Sequence, residues 1–373
     1  MARAPAVQEI EALPEADRLD GIPHPRETAR LYGHEAAELA LAEGLTSGRM
    51  HHAWLLAGPE GIGKATLAYR FARFALAEPG ERGGGDDALA VGNETRAARQ
   101  VLALSHPGLL VIRRPWNHQT KRHAQVITVD EVRRIKSFLS HTGEAGANRV
   151  VIVDTADQLN VNAANALLKS LEEPPPRTFF MLLTASPGRL LPTIRSRCRV
   201  LDLKALEEAD VRRAVLAALN AVEAEAPGAS EWQRLIALAE GSPRRALSLW
   251  RSDGLKLDGR LMQLVSGLPR FDWQAVHQLA DELASAAAAE RFEMFFDLLL
   301  KQLARLVRAG AGVAGGEDDG RLAGKLGVGV RLATWAELWE TVAREKAEAQ
   351  ALNLDRKSLI LGTFGRIEAA ARS

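Results

Sequence analysis

Residues 162–198 read NAANALLKSLEEPPPRTFFMLLTASPGRLLPTIRSRC, and this stretch indicates the fold of the N-terminal half. Apolar residues at helical spacing predict a helix over 162–173. Pro174–Pro176 end that helix, because proline has no N–H and disfavours the α conformation in the residue before it. Phe179–Thr184 is a short, almost wholly apolar run bounded by turn residues, which predicts a buried parallel strand. The stretch therefore predicts an α/β domain.

The composition is that of an ordinary globular chain of 373 residues, long enough for two or three domains. Its 48 basic and 47 acidic residues leave a net charge of +1, which argues against a protein that coats DNA by bulk charge. The single cysteine, Cys198, excludes an intrachain disulfide and a cysteine zinc site, so we expect no zinc. We also expect a cytoplasmic protein with no membrane partner, since no apolar run is long enough to span a bilayer and no signal-peptide core is present.

A glycine-rich loop of sequence GPEGIGKAT occupies 58–66, between a predicted strand and an amphipathic helix. This is the context that a phosphate-binding P-loop requires. Gly58, Gly61 and Gly63 allow backbone N–H groups to turn towards phosphate oxygens, and Lys64 adds a point charge at a helix N-terminus. The loop predicts a nucleotide-binding site.

The loop departs from the P-loop pattern at Ala65, where a magnesium-ligating Ser or Thr is expected. Thr66 follows, but one residue further along a helix points about 100° away. The pattern therefore allows ATP at a degenerate site and argues against a well-placed magnesium ion. A structural loop without nucleotide is the alternative.

The motifs NAANALLKSLEEPP at 162–175 and RSRC at 195–198 resemble the bacterial clamp-loader subunits, the AAA+ proteins of the DNA polymerase III holoenzyme. In that family the arginine of the SRC motif reaches the γ-phosphate of ATP bound by the neighbouring subunit, where a planar, always-charged fork suits phosphate. The resemblance implies that Arg197 is an arginine finger. Without the surrounding motifs, Arg197 would be a surface arginine after a helix.

Arg149–Asp154 (RVVIVD) is similar to a Walker B strand, and Asp154 would hold magnesium in such an enzyme. A working AAA+ ATPase has Glu next, whereas this chain has Thr155, which is no general base near neutral pH. Together with Ala65, this second loss predicts weak or absent ATP hydrolysis.

Two further positions match nucleotide sensors of the family. Thr184 ends the 179–184 strand at the sensor 1 position, where it would contact a γ-phosphate or cap the strand. GSPRRAL at 241–247 resembles sensor 2, with Ser242 as the helix N-cap and Arg244 reaching nucleotide in cis. Tyr32–Glu35 partly resembles the segment beside the adenine, within a helix predicted over 27–45.

We predict a loose leader over 1–26, an AAA+ nucleotide-binding domain over 27–205, a helical lid over 206–255 and an all-α collar over 256–373. Apolar stripes in the collar would pack its core or join subunits; the stripes comprise Phe292, Phe295, Phe296, Leu299, Leu303 and Leu306, and Trp335, Leu338, Trp339 and Val342. A basic cluster around Trp116 would touch a phosphate backbone or form a solvated loop; it comprises Arg113, Arg114, Lys121, Arg122 and His123.

A chain that keeps the finger and lacks the catalytic acid is similar to the delta-prime branch of the clamp-loader family. The resemblance implies a stator in a hetero-pentamer with delta and gamma/tau subunits, which acts through that complex on the sliding clamp and primed DNA. Two alternatives stay open: an active gamma/tau-type ATPase, and a scaffold that binds no nucleotide.

Overall fold

The computed structural model describes residues 14–83, 87–117, 119, 122–140, 146–313, 316–352 and 354–372, except for the side chain at 286. These residues divide into two compact units. The first runs to Gly228 and includes Ile236–Ala246, and the second comprises Ala229–Leu235 and the chain from Leu247 onward.

The first unit contains a five-stranded parallel sheet, which confirms the predicted α/β architecture. Its strands follow one another across the sheet in the order β2-β5-β6-β1-β7. A separate two-stranded ribbon is formed by β3 and β4. The bounds are β1 Ala53–Ala57, β2 Leu109–Ile112, β3 Trp116–Asn117, β4 Arg122–His123, β5 Arg149–Asp154, β6 Thr178–Thr184 and β7 Arg199–Asp202.

Helices cover both faces of this sheet, as a fully buried parallel sheet requires. Alternate strand residues such as Leu55, Val151 and Phe180 pack against α4 and α5. On the opposite face, Phe71 of α2 meets Phe179 edge-to-face at 6.0 Å. The helices of this unit are α1 Glu35–Thr46, α2 Lys64–Leu76, α3 Arg96–Leu102, α4 Val129–Ser140, α5 Val161–Glu172, α6 Pro192–Arg195 and α7 Glu208–Asn220.

The stretch that suggested the fold has the predicted local structure. Helix α5 begins after Asn160, whose side chain accepts a hydrogen bond from the N–H of Ala163 at 2.8 Å, and it ends two residues before Pro174. Strand β6 is buried along its whole length between β5 and β1. A central strand with neighbours on both sides explains the continuous apolar run.

The helix predicted over 27–45 is wrong at its start, because α1 begins only at Glu35. Gly33 has a φ of +75°, and His34 is the N-cap. The preceding residues do not continue the helix, and Leu31 packs where a Cβ on Gly63 would come within 2.7 Å of it. Gly33 therefore lies at the end of the non-helical segment that precedes α1.

The expectation of a loose leader is wrong for residues 14–26. His24 is fully buried, and the Arg26 guanidinium contacts the Glu15 carboxylate at 2.6 Å and the Leu102 carbonyl at 2.8 Å. Acidic and basic residues that suggested solvation instead pair with one another. The expectation for residues 1–13 lies outside the described part of the chain.

Among its described residues the second unit has helices and no strand, as predicted for the C-terminal region. Helix α12 packs against α10, α11, α13 and α14. The two apolar stripes form core, because their residues are buried except for Trp339, which is 38% exposed. The helices are α10 Gly254–Ser266, α11 Trp273–Ala284, α12 Ala289–Gly310, α13 Glu317–Lys325, α14 Leu332–Leu352 and α15 Arg356–Arg372. Helices α8 Ala229–Ala239 and α9 Pro243–Arg251 each contain residues of both units.

None of the helices in the described ranges has both the length and the apolar character that a membrane span needs.

Candidate nucleotide site and arginine edge

The glycines of the predicted P-loop have conformations and surroundings that a larger residue would not tolerate. Gly58, Gly61 and Gly63 have φ values of +152°, +76° and +108°. A Cβ on Gly58 would lie 2.1 Å from the Leu203 carbonyl oxygen, and one on Gly61 would lie 2.4 Å from the Ser242 hydroxyl. The loop is therefore tightly held between β1 and the start of α9, and each glycine is required by its backbone.

Lys64 begins helix α2 and lies among the oxygens of the loop itself. Its Nζ donates to the Gly58 carbonyl at 2.7 Å and to the Pro59 carbonyl. The side chain is buried, and burial lowers the pKa of Lys64 although Glu60, Asp154 and Asp157 act in the opposite direction. The ammonium group is thus satisfied by the backbone of its own loop.

The neighbouring residues offer little to a magnesium ion. Ala65 has no oxygen on its side chain, and Thr66 is buried in the first turn of α2. Magnesium requires several oxygen ligands at near-octahedral positions. The loop therefore fits a phosphate group, while the residue types present do not fit a resident magnesium ion.

Asp154 ends strand β5 at the same sheet edge as the loop. Desolvation and the charge of the Asp17 carboxylate raise the pKa of Asp154 to about 7, although Lys64, Arg113 and Arg244 act in the opposite direction. A carboxyl group with that pKa is only partly ionised at neutral pH, which weakens it as a cation ligand. Thr155 follows it, so the position of the usual catalytic acid carries a hydroxyl.

Thr184 lies at the end of strand β6, opposite Ala57 in the register. Its carbonyl accepts from Gly58 N–H at 3.2 Å, and its hydroxyl accepts from Ser186 N–H at 3.0 Å. The side chain is fully buried. Thr184 thus joins the P-loop to β6 and caps the strand in this structure, and its contact with a γ-phosphate stays a prediction.

Arg244 lies beside the P-loop, as the sensor 2 resemblance implies. Its N–H donates to the Gly61 carbonyl at 3.2 Å, and Ser242 caps the helix by accepting from Arg245 N–H at 3.2 Å. The guanidinium donates to the backbone carbonyl of Asp17 at 2.6 Å. The structure therefore brings Arg244 and the loop together, with a leader residue as the partner of the guanidinium.

The leader residues at this edge were missed by sequence reasoning. Asp17 contacts Arg113 at 3.0 Å and His24 at 2.8 Å, and Glu15 contacts Arg113 and Arg26, both at 2.6 Å. Despite desolvation, which acts in the opposite direction, hydrogen bonds and charges of these partners lower the pKa of both Glu15 and Asp17 to about 2. No local sequence motif marks these residues.

Arg113 was assigned to a basic cluster around Trp116, and the structure corrects this. Its guanidinium pairs with the two leader carboxylates, while Trp116 meets His123 edge-to-face at 4.9 Å in the β3–β4 ribbon. The prediction for Lys121 lies outside the described residues. The cluster is therefore divided between a buried ion-pair network and a short ribbon.

Arg197 lies just after α6, away from these ion pairs. Its guanidinium donates to the Thr193 carbonyl at 2.9 Å and contacts the Glu172 carboxylate at 2.6 Å. Its side chain is 35% exposed. The neighbouring Cys198 is largely desolvated, which raises the pKa of its thiol to about 11 and makes it a poor nucleophile.

Comparison with known proteins shows the family. A family model described as DNA polymerase III, delta subunit, matches residues 33–207. The subunit delta' of DNA polymerase III from Pseudomonas aeruginosa is 34% identical over 253 residues, which cover 67% of this chain and 70% of that protein. The chain belongs to the delta-prime family of DNA polymerase III clamp-loader subunits. The Escherichia coli member is 31% identical over 69% of this chain and 72% of its own length.

The tau subunit of the same polymerase in Escherichia coli is also similar. It is 34% identical over 226 residues, which cover 60% of this chain and 32% of tau. The chain is thus similar to both delta-prime and tau at comparable identity, and identity alone does not separate their roles.

In the described part of this delta-prime family member, no group of three or more His, Cys, Asp or Glu side chains is arranged to hold a metal ion. ATP, where it binds, would supply the phosphoryl group for hydrolysis. The chain's own contributions would be the loop N–H groups and Lys64 at the phosphates and Arg244 beside them.

Proposed function

We propose that this chain is the stator subunit of a clamp loader. It supports ATP-driven loading of the sliding clamp onto primed DNA, supplies Arg197 to the ATP site of a neighbouring subunit, and hydrolyses little or no ATP itself. The observation that carries the proposal is the contrast at two positions of one domain: Thr155 replaces the catalytic acid beside Asp154, whereas Arg197 keeps a partly exposed guanidinium.

The local geometry supports a role in trans for Arg197. Short helix α6 ends at Arg195, so Arg197 lies on the turn that follows, and its guanidinium donates to the Thr193 carbonyl. Its carboxylate partner Glu172 is itself 46% exposed. An exposed ion pair contributes at most about 1 kcal/mol, so a phosphate from outside can displace it.

The chemistry required of such an arginine is electrostatic. A guanidinium in trans stabilises the charge that develops on the transferred phosphoryl group and neither takes nor gives a proton. A subunit that hydrolyses no ATP itself can therefore be necessary for hydrolysis at the ATP site of its neighbour.

The proposal includes partners and domains. The chain would assemble with delta and gamma/tau subunits in a hetero-pentamer in the cytoplasm. The helical lid over 206–255 and the collar over 256–373 would provide the hinge and the ring contacts, respectively.

The test uses a reconstituted complex in which only the motor site facing Arg197 keeps an intact P-loop lysine. Arg197→Ala should leave assembly unchanged and lower DNA-stimulated ATP hydrolysis at that site by ~10³-fold. Arg195→Ala, on the exposed last turn of α6, is the matched control and should change the rate less than ~2-fold, since an exposed surface residue contributes little. Unchanged hydrolysis in the Arg197 variant would contradict the stator proposal.

The similarity to tau favours one second candidate, an active gamma/tau-type ATPase. That function requires steady-state hydrolysis by the isolated chain, stimulated by primed DNA and abolished by Lys64→Ala. The absence of turnover would exclude it, and the isolated chain's affinity for nucleotide would then separate a stator with a nucleotide from a scaffold without one.

A further inference from the structure

The leader brings two acidic residues to the sheet edge that carries the P-loop. The side chains of Glu15 and Asp17 are only 10% and 13% exposed. Three guanidinium groups and one imidazole surround them, those of Arg18, Arg26, Arg113 and His24. Such burial is costly for carboxylates unless they are paired, so this segment has a defined place in the fold.

The position of Asp17 relative to the nucleotide site is defined by two contacts and one electrostatic effect. Its backbone carbonyl accepts from the Arg244 guanidinium at 2.6 Å, and its carboxylate contacts Arg113 at 3.0 Å. Its negative charge also acts on the carboxyl group of Asp154. Asp17 therefore lies beside the sensor 2 arginine and Arg113, and its charge acts on the acid of the Walker B strand.

These are the groups that would face the terminal phosphate of a bound nucleotide. Guanidinium groups are well suited to phosphate oxygens, and here they are satisfied by oxygens of the chain itself. Lys64 shows the same pattern, because its ammonium group binds two carbonyls of the loop. A triphosphate would have to displace a carbonyl from Arg244 and place its most charged group beside a buried carboxylate.

We propose that Asp17 is a specificity-determining residue that occupies the γ-phosphate end of the P-loop site and selects against nucleoside triphosphates. The inference deepens the proposed function, because it takes residues 58–64 as the phosphate loop. The leader then has a role, because its residues occupy the phosphate end of this subunit's own nucleotide site. A nucleoside diphosphate, which lacks the γ-phosphate, is not opposed in this way.

The experiment measures nucleotide affinity of the full chain with fluorescent analogues of a non-hydrolysable ATP and of ADP. Asp17→Asn removes the charge while an amide oxygen still faces Arg113. It should raise the affinity for the triphosphate by ~10-fold or more, since charge repulsion within a few ångströms is removed, and change the affinity for ADP less than ~3-fold. The double variant Asp17→Asn/Lys64→Met should lose the gain, because the loop lysine is then absent.

The matched control is Glu27→Gln. Glu27 follows the leader, pairs with Arg18 at 2.6 Å and accepts from the His24 N–H at 2.9 Å. This substitution should leave both affinities within ~2-fold of the original, because the glutamine oxygen still accepts from His24 and the lost charge belongs to a partly exposed pair. Circular dichroism and thermal unfolding of each variant identify any change that comes from misfolding, and Asp17→Glu then provides a charged variant for the same comparison.

Three outcomes would overturn the inference: equal triphosphate affinity in the Asp17→Asn variant and the original chain, an equal gain for ADP and ATP, or no nucleotide binding by any variant. The stator proposal is tested separately, since hydrolysis in the Arg197→Ala complex depends on the neighbour's site. A failed affinity test with a large Arg197 effect would remove the role of Asp17 alone.

Discussion

Two cationic regions of the same unit have opposite environments. Around the P-loop, Lys64 and Arg244 donate to carbonyls of the chain, and Arg113 binds two leader carboxylates. At the α6 end, the partly exposed Arg197 donates to the Thr193 carbonyl and pairs with the exposed carboxylate of Glu172. A phosphate can thus reach Arg197 by displacing a weak surface pair, whereas it reaches the P-loop only by rearranging a buried network.

Under the proposed function, this difference would let one domain lose a function on one surface and keep another function elsewhere. Ala65 and Thr155 remove groups that only a resident ATP would use. Nothing in those substitutions disturbs the helix α5, strand β6 and turn that place Arg197. The cis site and the trans arginine are therefore separable by mutation.

The sharpest test of this separation compares two substitutions in the reconstituted complex. We expect the loss of ~10³-fold for Arg197→Ala at the neighbouring site, but a change of less than ~2-fold for Lys64→Met, which keeps the apolar stem and removes the charge. Steady-state ATP hydrolysis with primed DNA measures both. An equal loss in the two variants would mean that the chain's own P-loop also takes part in turnover.

The raised pKa of Asp154 predicts that the free energy of unfolding depends on pH. Its pKa is raised from 3.8 to about 7 in the folded state, so the folded chain holds the proton over a range in which the unfolded chain has released it. The free energy of unfolding therefore falls as pH rises from about 4 to 7. Asp154→Asn removes this loss, and we expect the variant to be more stable than the original chain by about 2–4 kcal/mol at pH 8, with a smaller gap at pH 5.

Urea unfolding at the two pH values measures that gap. The pKa values of Glu15 and Asp17 lie near 2, so their contribution is present above about pH 4.5 and is lost only as pH falls below it. Burial also lowers the pKa of His34, His52, His106 and His123, but their contributions are common to both proteins, so the difference between variant and original chain isolates Asp154. A gap of the same size at both values would show that desolvation of this carboxyl is not the cause.

The smallest expected effect concerns the carboxylate partner of Arg197. Glu172→Gln should change the free energy of unfolding by less than about 1 kcal/mol, because the pair is exposed and the Thr193 carbonyl still holds the arginine. Glu15→Gln, which weakens a carboxylate shared by three arginines, should cost more. Thermal or urea unfolding measures the loss of stability in both variants. A larger loss for Glu172→Gln than for Glu15→Gln would contradict the view that Arg197 is in a weak surface pair and the leader carboxylates are in a buried network.

Sequence reasoning was most successful where a local pattern is sufficient. The apolar runs at 149–154 and 179–184 are parallel strands, and the prolines after 173 follow the end of α5. The stripes of α12 and α14 are core, because helical spacing places their residues on one buried face. These features depend on residues close together in the chain, and the sequence by itself determined them, together with the missing oxygen at Ala65 and the missing acid at Thr155.

Only the tertiary structure decided the surroundings of the cations. Asp17 reaches Arg113 and Arg244 across 96 and 227 positions of sequence, and no periodicity or motif connects residues so far apart. The same charged residues that suggest a solvated leader can instead form a buried network, because pairing offsets the desolvation that isolated charges would suffer. Whether a lysine or arginine faces solvent or its own chain depends on which distant segment fills the space beside it.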